Sequence, residues 1–93
     1  MKTELTTLCS EIRKVLKDEF ERRLRGKAID IIVQPIVINH CNCHVLLMLK
    51  DRVVNLASSC TRTEGTAQEI AGRLLKRLVP EVRDGIRIYA KKQ

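Results

Sequence analysis

Residues 28–57 constrain this chain more than any other stretch. Ala28-Ile29-Asp30-Ile31-Ile32-Val33-Gln34-Pro35-Ile36-Val37-Ile38, His44-Val45-Leu46-Leu47-Met48-Leu49 and Arg52-Val53-Val54-Asn55-Leu56-Ala57 are three apolar, largely β-branched runs separated by short polar breaks. Such runs suit a pleated, half-buried surface and read as three successive strands. The connections, Asn39 to Asn42 and the two-residue Lys50-Asp51, are of hairpin length, so the strands form an antiparallel meander. Asp51 tolerates the positive φ that two-residue turns often require. Pro35 cannot donate to a ladder, which puts the first strand at a sheet edge or a bulge near Gln34 to Ile36. That strand has apolar residues on both parities, so its second face calls for partial cover, as a contact between subunits would give.

One face of such a sheet must be covered, and both flanking segments have the periodicity to do it. Leu5, Leu8, Cys9, Ile12, Val15, Leu16, Phe20 and Leu24 recur at three- and four-residue intervals, which predicts an amphipathic helix from about Glu4 to Arg25. Thr3 suits its N-cap and Gly26 a left-handed stop. Asp18 to Arg22, Glu19 to Arg23 and Glu21 to Arg25 are acid-before-base pairs at i, i+4, so much of this helix's charge is self-paired. Residues 58–65 have loop composition. Thr66-Ala67-Gln68-Glu69 is then a capping box, and Ala67, Ile70, Ala71, Leu74, Leu75 and Leu78 form a second buried stripe. Pro80 is expected to stop this helix near Leu78 or Val79. Ile86, Ile88 and Ala90 alternate with Arg87, Tyr89 and Lys91, the pattern of a last strand over Gly85 to Ala90. The expected fold is one α+β domain, a two-layer sandwich in the order α-β-β-β-α-β with both helices on one face of an antiparallel sheet. Its core must be aliphatic, because Phe20 and Tyr89 are the only aromatic residues.

The chain shows no run of about 18 to 20 apolar residues, the length a membrane span needs, and its N-terminus is unlike a signal peptide. A cytoplasmic protein without membrane contact is expected, with Cys9, Cys41, Cys43 and Cys60 as reduced thiols. His40-Cys41-Asn42-Cys43-His44 is the conspicuous local cluster, soft enough for zinc or Cu(I). An extended backbone, however, turns Cys41 and Cys43 to one side and His40 and His44 to the other. No metal and no other cofactor is expected. A Cys-His nucleophile from the same residues meets the same divergence. The chain also has no Gly-rich phosphate loop, nucleophile elbow or paired-carboxylate motif, so it does not read as an enzyme.

Charge gives the functional lead. Eighteen Lys and Arg against eleven Asp and Glu leave +7, and the excess lies on the flanking segments: eight basic and five acidic groups in residues 1–27, two of each in 28–60, eight and four in 61–93. Arg73, Lys76 and Arg77 share the helix face opposite the leucine stripe. Arg62, Arg83, Arg87, Lys91 and Lys92 could extend the set. Such groups bind phosphates without reading bases, and the scarcity of rings argues against single-strand stacking.

The α-β-β-β-α order resembles the double-stranded RNA-binding domain, whose last helix grips phosphates at its start. Here Thr66-Ala67-Gln68-Glu69 stands in place of that family's lysine cluster, and a strand is added. Gly65 to Ala90 is similar to the helix-then-strand half of DinI-like regulators, without the acidic final helix. No family residue is carried over from either. The expected function is a small non-enzymatic accessory or regulatory protein that contacts duplex nucleic acid through Arg62, Arg73, Lys76, Arg77 and Arg87. The rival is a protein-binding adaptor or inhibitor that uses the apolar strand surface to hold a host protein. Self-association as a homodimer is expected in either case.

Overall fold

The computed structural model describes residues 2–36 and 39–92, with side chains over 5–36 and 39–89. In chain order it comprises α1 (Lys2–Arg23), β1 (Ile29–Pro35), β2 (His40–Met48), β3 (Val53–Arg62) and α2 (Ala67–Lys92). The three strands pair antiparallel in the order β1-β2-β3. Both helices lie on one face of this sheet, α1 chiefly over β1 and α2 chiefly over β3, and they also pack on each other. The α+β sandwich is therefore as expected. Val37 and Ile38, the end of the first apolar run, lie outside the described residues.

The core forms where the predicted stripes meet. Cys9, Ile12, Leu16 and Phe20 from α1 and Ile70, Ala71, Leu74, Leu78 and Val82 from α2 are buried against Ile31, Cys41, Cys43, Val45 and Leu47. Each large aliphatic side chain sequestered here contributes about 1.5–3 kcal/mol. Burial in β2 alternates strictly from His40 to Leu47, so the opposite face, with His40, Asn42, His44 and Leu46, carries no helix. β3 has one extra residue between the partners of Val45 and Leu46, a bulge at Leu56. The bulge lets Leu56 and Ala57 both turn inward and flips the parity of the residues beyond it, a common effect of an inserted residue.

Four sequence expectations need correction. The last strand does not form: Gly85 to Ala90 belongs to α2, which passes through Pro80 and reaches Lys92. Val82 is buried and Ile86 and Tyr89 are half-buried against the core, while Ile88 is 53% exposed. The apolar period is thus Leu74, Leu78, Val82, Ile86, Tyr89, a helical one, and it outweighs the two-residue alternation. Pro80 is exposed, so the Lys76 carbonyl it leaves without a donor faces the solvent side of the helix. Second, β2 begins at His40 and β3 runs to Arg62, so the polar residues around Cys41 and over 58–62 extend the hairpin. Third, α1 already includes Lys2, which places Thr3 inside the first turn. Fourth, the Lys50-Asp51 turn is closed by Leu49 N–H donating to the Arg52 carbonyl at 2.8 Å, but neither turn residue has positive φ. Among the described non-glycine residues only Asn39 does.

Pro35 closes β1 at the edge of the sheet, as expected. Gly26, at φ 83°, ends the turn after α1.

Candidate nucleic-acid interface

The continuity of α2 decides which cations share a face. At 3.6 residues per turn, Arg73, Lys76, Arg83 and Arg87 fall within an arc of about 80°, opposite Leu74, Leu78 and Val82, and Arg77 lies about 40° beyond it. All five are exposed. In the strand expected from the sequence, Arg87 would have had no fixed relation to the helix. In the structure it continues the stripe, with Lys76 and Arg87 separated by about 16 Å along the axis. That distance corresponds to roughly five phosphate steps of one nucleic-acid strand.

α2 is also where the charge excess concentrates. Residues 67–92 contain seven basic and three acidic groups, against six and five in residues 2–23. α1 neutralises much of its own charge: Glu19 takes both Arg22 and Arg23, the latter at 2.9 Å, and Arg13 meets Asp30 at 2.9 Å. The hydrogen bond from Arg23, with the nearby charges, holds the Glu19 carboxyl below its usual range. Arg22 pairs with Glu19 at i, i+3 rather than with Asp18, and α1 ends before Arg25, so of the three expected pairs the Glu19–Arg23 one forms. Among the described residues no carboxylate pairs with Arg62, Lys76, Arg77, Arg83 or Arg87.

Arg73 is different. Its guanidinium donates to the Arg62 carbonyl at 2.9 Å, the Glu64 carbonyl at 2.7 Å and Thr61 Oγ1 at 3.3 Å. It ties the end of β3 and the following loop to α2, and its donors are largely committed. Arg62 stands at that end of β3 with its own side chain exposed. The five residues singled out by sequence therefore divide. Lys76, Arg77 and Arg87 present unpaired charge on α2, Arg62 flanks them, and Arg73 is a structural anchor. Arg83 joins the first group. Its membership is set by the helical period running through Val82, Ile86 and Tyr89.

The start of α2 closes itself. Thr66 N–H donates to Glu69 Oε1 at 3.1 Å and Glu69 N–H to Thr66 Oγ1 at 3.1 Å, the reciprocal bonds of the capping box. Hydrogen bonding from the Thr66 N–H and hydroxyl to the carboxylate lowers the Glu69 pKa, so a carboxylate sits where the double-stranded RNA-binding domain would offer lysines.

The His-Cys cluster is separated by its strand. Cys41 and Cys43 are fully buried inward, and burial pushes their thiols up to about 11 and about 12. His44, on the opposite face, has Nδ1 at 2.7 Å from Ser58 Oγ, which also accepts from Asn55 Nδ2 at 2.9 Å. His44 and Ser58 are cross-strand partners, so this polar contact is set by register. No group of three His, Cys, Asp or Glu side chains able to hold a metal occurs among the described residues. One hollow of ≈ 170 Å³ lies between the helices, lined by Phe20, Arg23, Leu24, Val79, Val82 and Arg83. A second of ≈ 350 Å³ lies where Lys27, Leu47, Leu49, Ile86 and Tyr89 meet. Neither is lined by a carboxylate, imidazole or thiol. No described helix is long and apolar enough to cross a membrane. No family model matches the chain, and no curated protein or solved structure does.

Proposed function

We propose that this chain is a small non-enzymatic accessory or regulatory protein that binds duplex nucleic acid through phosphate contacts from the outer face of α2. The observation that carries this reading is the run of exposed, unpaired cations Lys76, Arg77, Arg83 and Arg87 on one continuous helix. Arg62 extends it at the β3 end. The reading rests on contacts to phosphates, which carry no sequence information, so no sequence preference is proposed. With four free thiols and no described membrane-crossing helix, the protein is proposed to act in the cytoplasm.

A titration of labelled DNA and RNA duplexes at two salt concentrations tests this. If the four α2 cations of a single chain each neutralise one phosphate, the slope of log affinity against log salt for the monomer is about −3.6, and a fourfold rise in salt weakens binding about 150-fold. Replacing Lys76, Arg83 and Arg87 with Ala brings the slope to about −0.9 without loss of fold. No binding at low salt, or a slope unmoved by those substitutions, refutes the reading. The rival, an adaptor for another protein, draws on the helix-free sheet face, where Met48 and Val53 are 42% and 52% exposed. It predicts a captured protein whose affinity is nearly independent of salt and is lost on Val53→Asp.

A further inference from the structure

The two edges of the sheet are built differently. On β1, Met48 N–H donates to the Ala28 carbonyl and Ile36 N–H to the His40 carbonyl, which fixes the alternation: Ile29, Ile31, Val33 and Pro35 turn their backbone groups away from β2. This edge is blocked. Pro35 has no N–H, Ile31 N–H donates to Asp30 Oδ1 at 2.8 Å, and the Ile31 carbonyl accepts from Arg13 Nε at 2.8 Å. The two charged side chains are themselves paired. Inward-turned charge and proline are how edge strands are protected against further pairing.

β3 has no such device over residues 58–61. Thr63 N–H donates to the Asn39 carbonyl, so Ala57, Ser59 and Thr61 bond to β2 while Ser58, Cys60 and Arg62 point outward. The Arg62 carbonyl is taken by Arg73. The outward backbone groups of Ser58 and Cys60 have no partner among the described residues. The segment Ser58-Ser59-Cys60-Thr61 is uncharged and carries neither proline nor glycine.

α2 indicates what pairs with this edge. Arg73 touches Thr61 and Arg62, and Gly85 abuts Leu56, so the i, i+4 row Arg73, Arg77, Glu81, Gly85 follows β3 along its flank. Interpolating at 1.5 Å per helical residue and about 3.3 Å per strand residue between these two contacts puts Arg77 and Glu81 beside residues 57–60, one on either side of the level of Ser59. Both are exposed, and neither has an ion pair or hydrogen bond among the described residues. Opposite charges placed symmetrically about one point complement themselves under a two-fold rotation through that point.

We infer that β3 pairs antiparallel with β3 of a second copy about a dyad at Ser59, joining two three-stranded sheets into one of six strands. Ser58 and Cys60 of each chain exchange backbone hydrogen bonds with Cys60 and Ser58 of the other, four bonds in all. Arg77 of each α2 faces Glu81 of the other. This assembly does not depend on the nucleic-acid reading.

Sedimentation velocity of the full chain, with thiols reduced, tests it. A dimer is expected at high micromolar concentration. Cys60→Pro removes an N–H that makes no bond among the described residues, and it should give a monomer with an unchanged circular dichroism spectrum. Arg77→Glu and Glu81→Arg should each weaken the dimer by about tenfold or more through like-charge contact, and the two together should restore it. A monomer at the highest concentration overturns the inference. So does a dimer that survives Cys60→Pro, which would place the contact on another surface, or a charge swap that fails to rescue.

Discussion

Pro80→Ala is the most direct test of the architecture, because everything distinctive about α2 depends on the helix continuing through Pro80. The residue lies near the middle of Ala67–Lys92 on the exposed face. In a helix interior proline costs about 3 kcal/mol relative to alanine, through the missing N–H and the clash of its ring with the carbonyl four residues back. The exposed site lets solvent satisfy the Lys76 carbonyl, which returns part of that cost, so a net stabilisation of about 1–3 kcal/mol is expected from the substitution. For 93 residues, an unfolding entropy of about 2.1 cal/mol/K per residue makes 1 kcal/mol equal to about 5 °C. Tm should therefore rise by about 5–15 °C. Thermal melts followed at 222 nm, with denaturant titrations beside them, give both numbers. An unchanged or lowered Tm would mean that residue 80 does not sit in a helix interior. Arg83 and Arg87 would then lose their alignment with Lys76, and the basic face would come apart.

The packing dictates three further outcomes. Leu74 is fully buried, so Leu74→Ala should cost about 2–5 kcal/mol, and Leu74→Asp, which buries a carboxylate without a partner, should prevent folding; near-wild-type denaturation of either would remove α2 from the core. Arg73→Ala removes three hydrogen bonds to β3 and its loop and should cost about 1–2 kcal/mol, with faster amide exchange over residues 62–64, whereas Arg87→Ala should stay within about 0.5 kcal/mol. The buried thiols give an alkaline limit: with Cys41 and Cys43 held up at about 11 and about 12, their contribution is complete below the unfolded thiol pKa of about 8.5 and is lost as pH rises above it. The denaturation midpoint should fall above pH ~9, and a Cys43→Val variant should fall less steeply; parallel curves would refute the assignment.

Much of the fold was legible in the sequence because burial imposes periodicity. Leu5 to Leu24 and Ile70 to Leu78 repeat at helical spacing, and the β-branched runs specify strands. The misreadings occurred where a local rule competed with a longer pattern. Pro80 is a strong breaker in isolation, and Ile86-Arg87-Ile88 alternates like a strand. The period from Leu74 through Val82 to Tyr89 prevails because it lines a continuous groove beside β3 and α1. Polar residues suggested a start for β2 that was too late and an end for β3 that was too early, since one sheet face carries no helix and can hold His44, Asn55 and Ser58. The basic set was legible as composition. Its division was not: Arg73 differs from Arg77 only in what lies within its reach, and the carbonyls of Arg62 and Glu64 are brought there by the fold.

The two surface proposals meet in one measurable quantity. A dyad perpendicular to the sheet leaves both helix layers on the same side, so the stripes of Lys76, Arg83 and Arg87 from two copies face the same way, with Arg77 engaged across the dyad. A duplex lying across both would release counterions from about six phosphates, against about four for one lying across a monomer. Counting three free cations per chain in the dimer, the salt slope would be about −5.4, while a Cys60→Pro monomer, with Arg77 released, would give about −3.6. The affinity ratio between dimer and monomer should accordingly be largest at low salt and shrink as salt rises. Fluorescence anisotropy over a salt series, with a duplex long enough to span both stripes, measures the two slopes directly. A wild-type slope of about −2.7, shallower than that of Cys60→Pro, under conditions where sedimentation shows one a dimer and the other a monomer, would mean that only one stripe engages at a time. The dimer would then stand, and its role in holding nucleic acid would be abandoned.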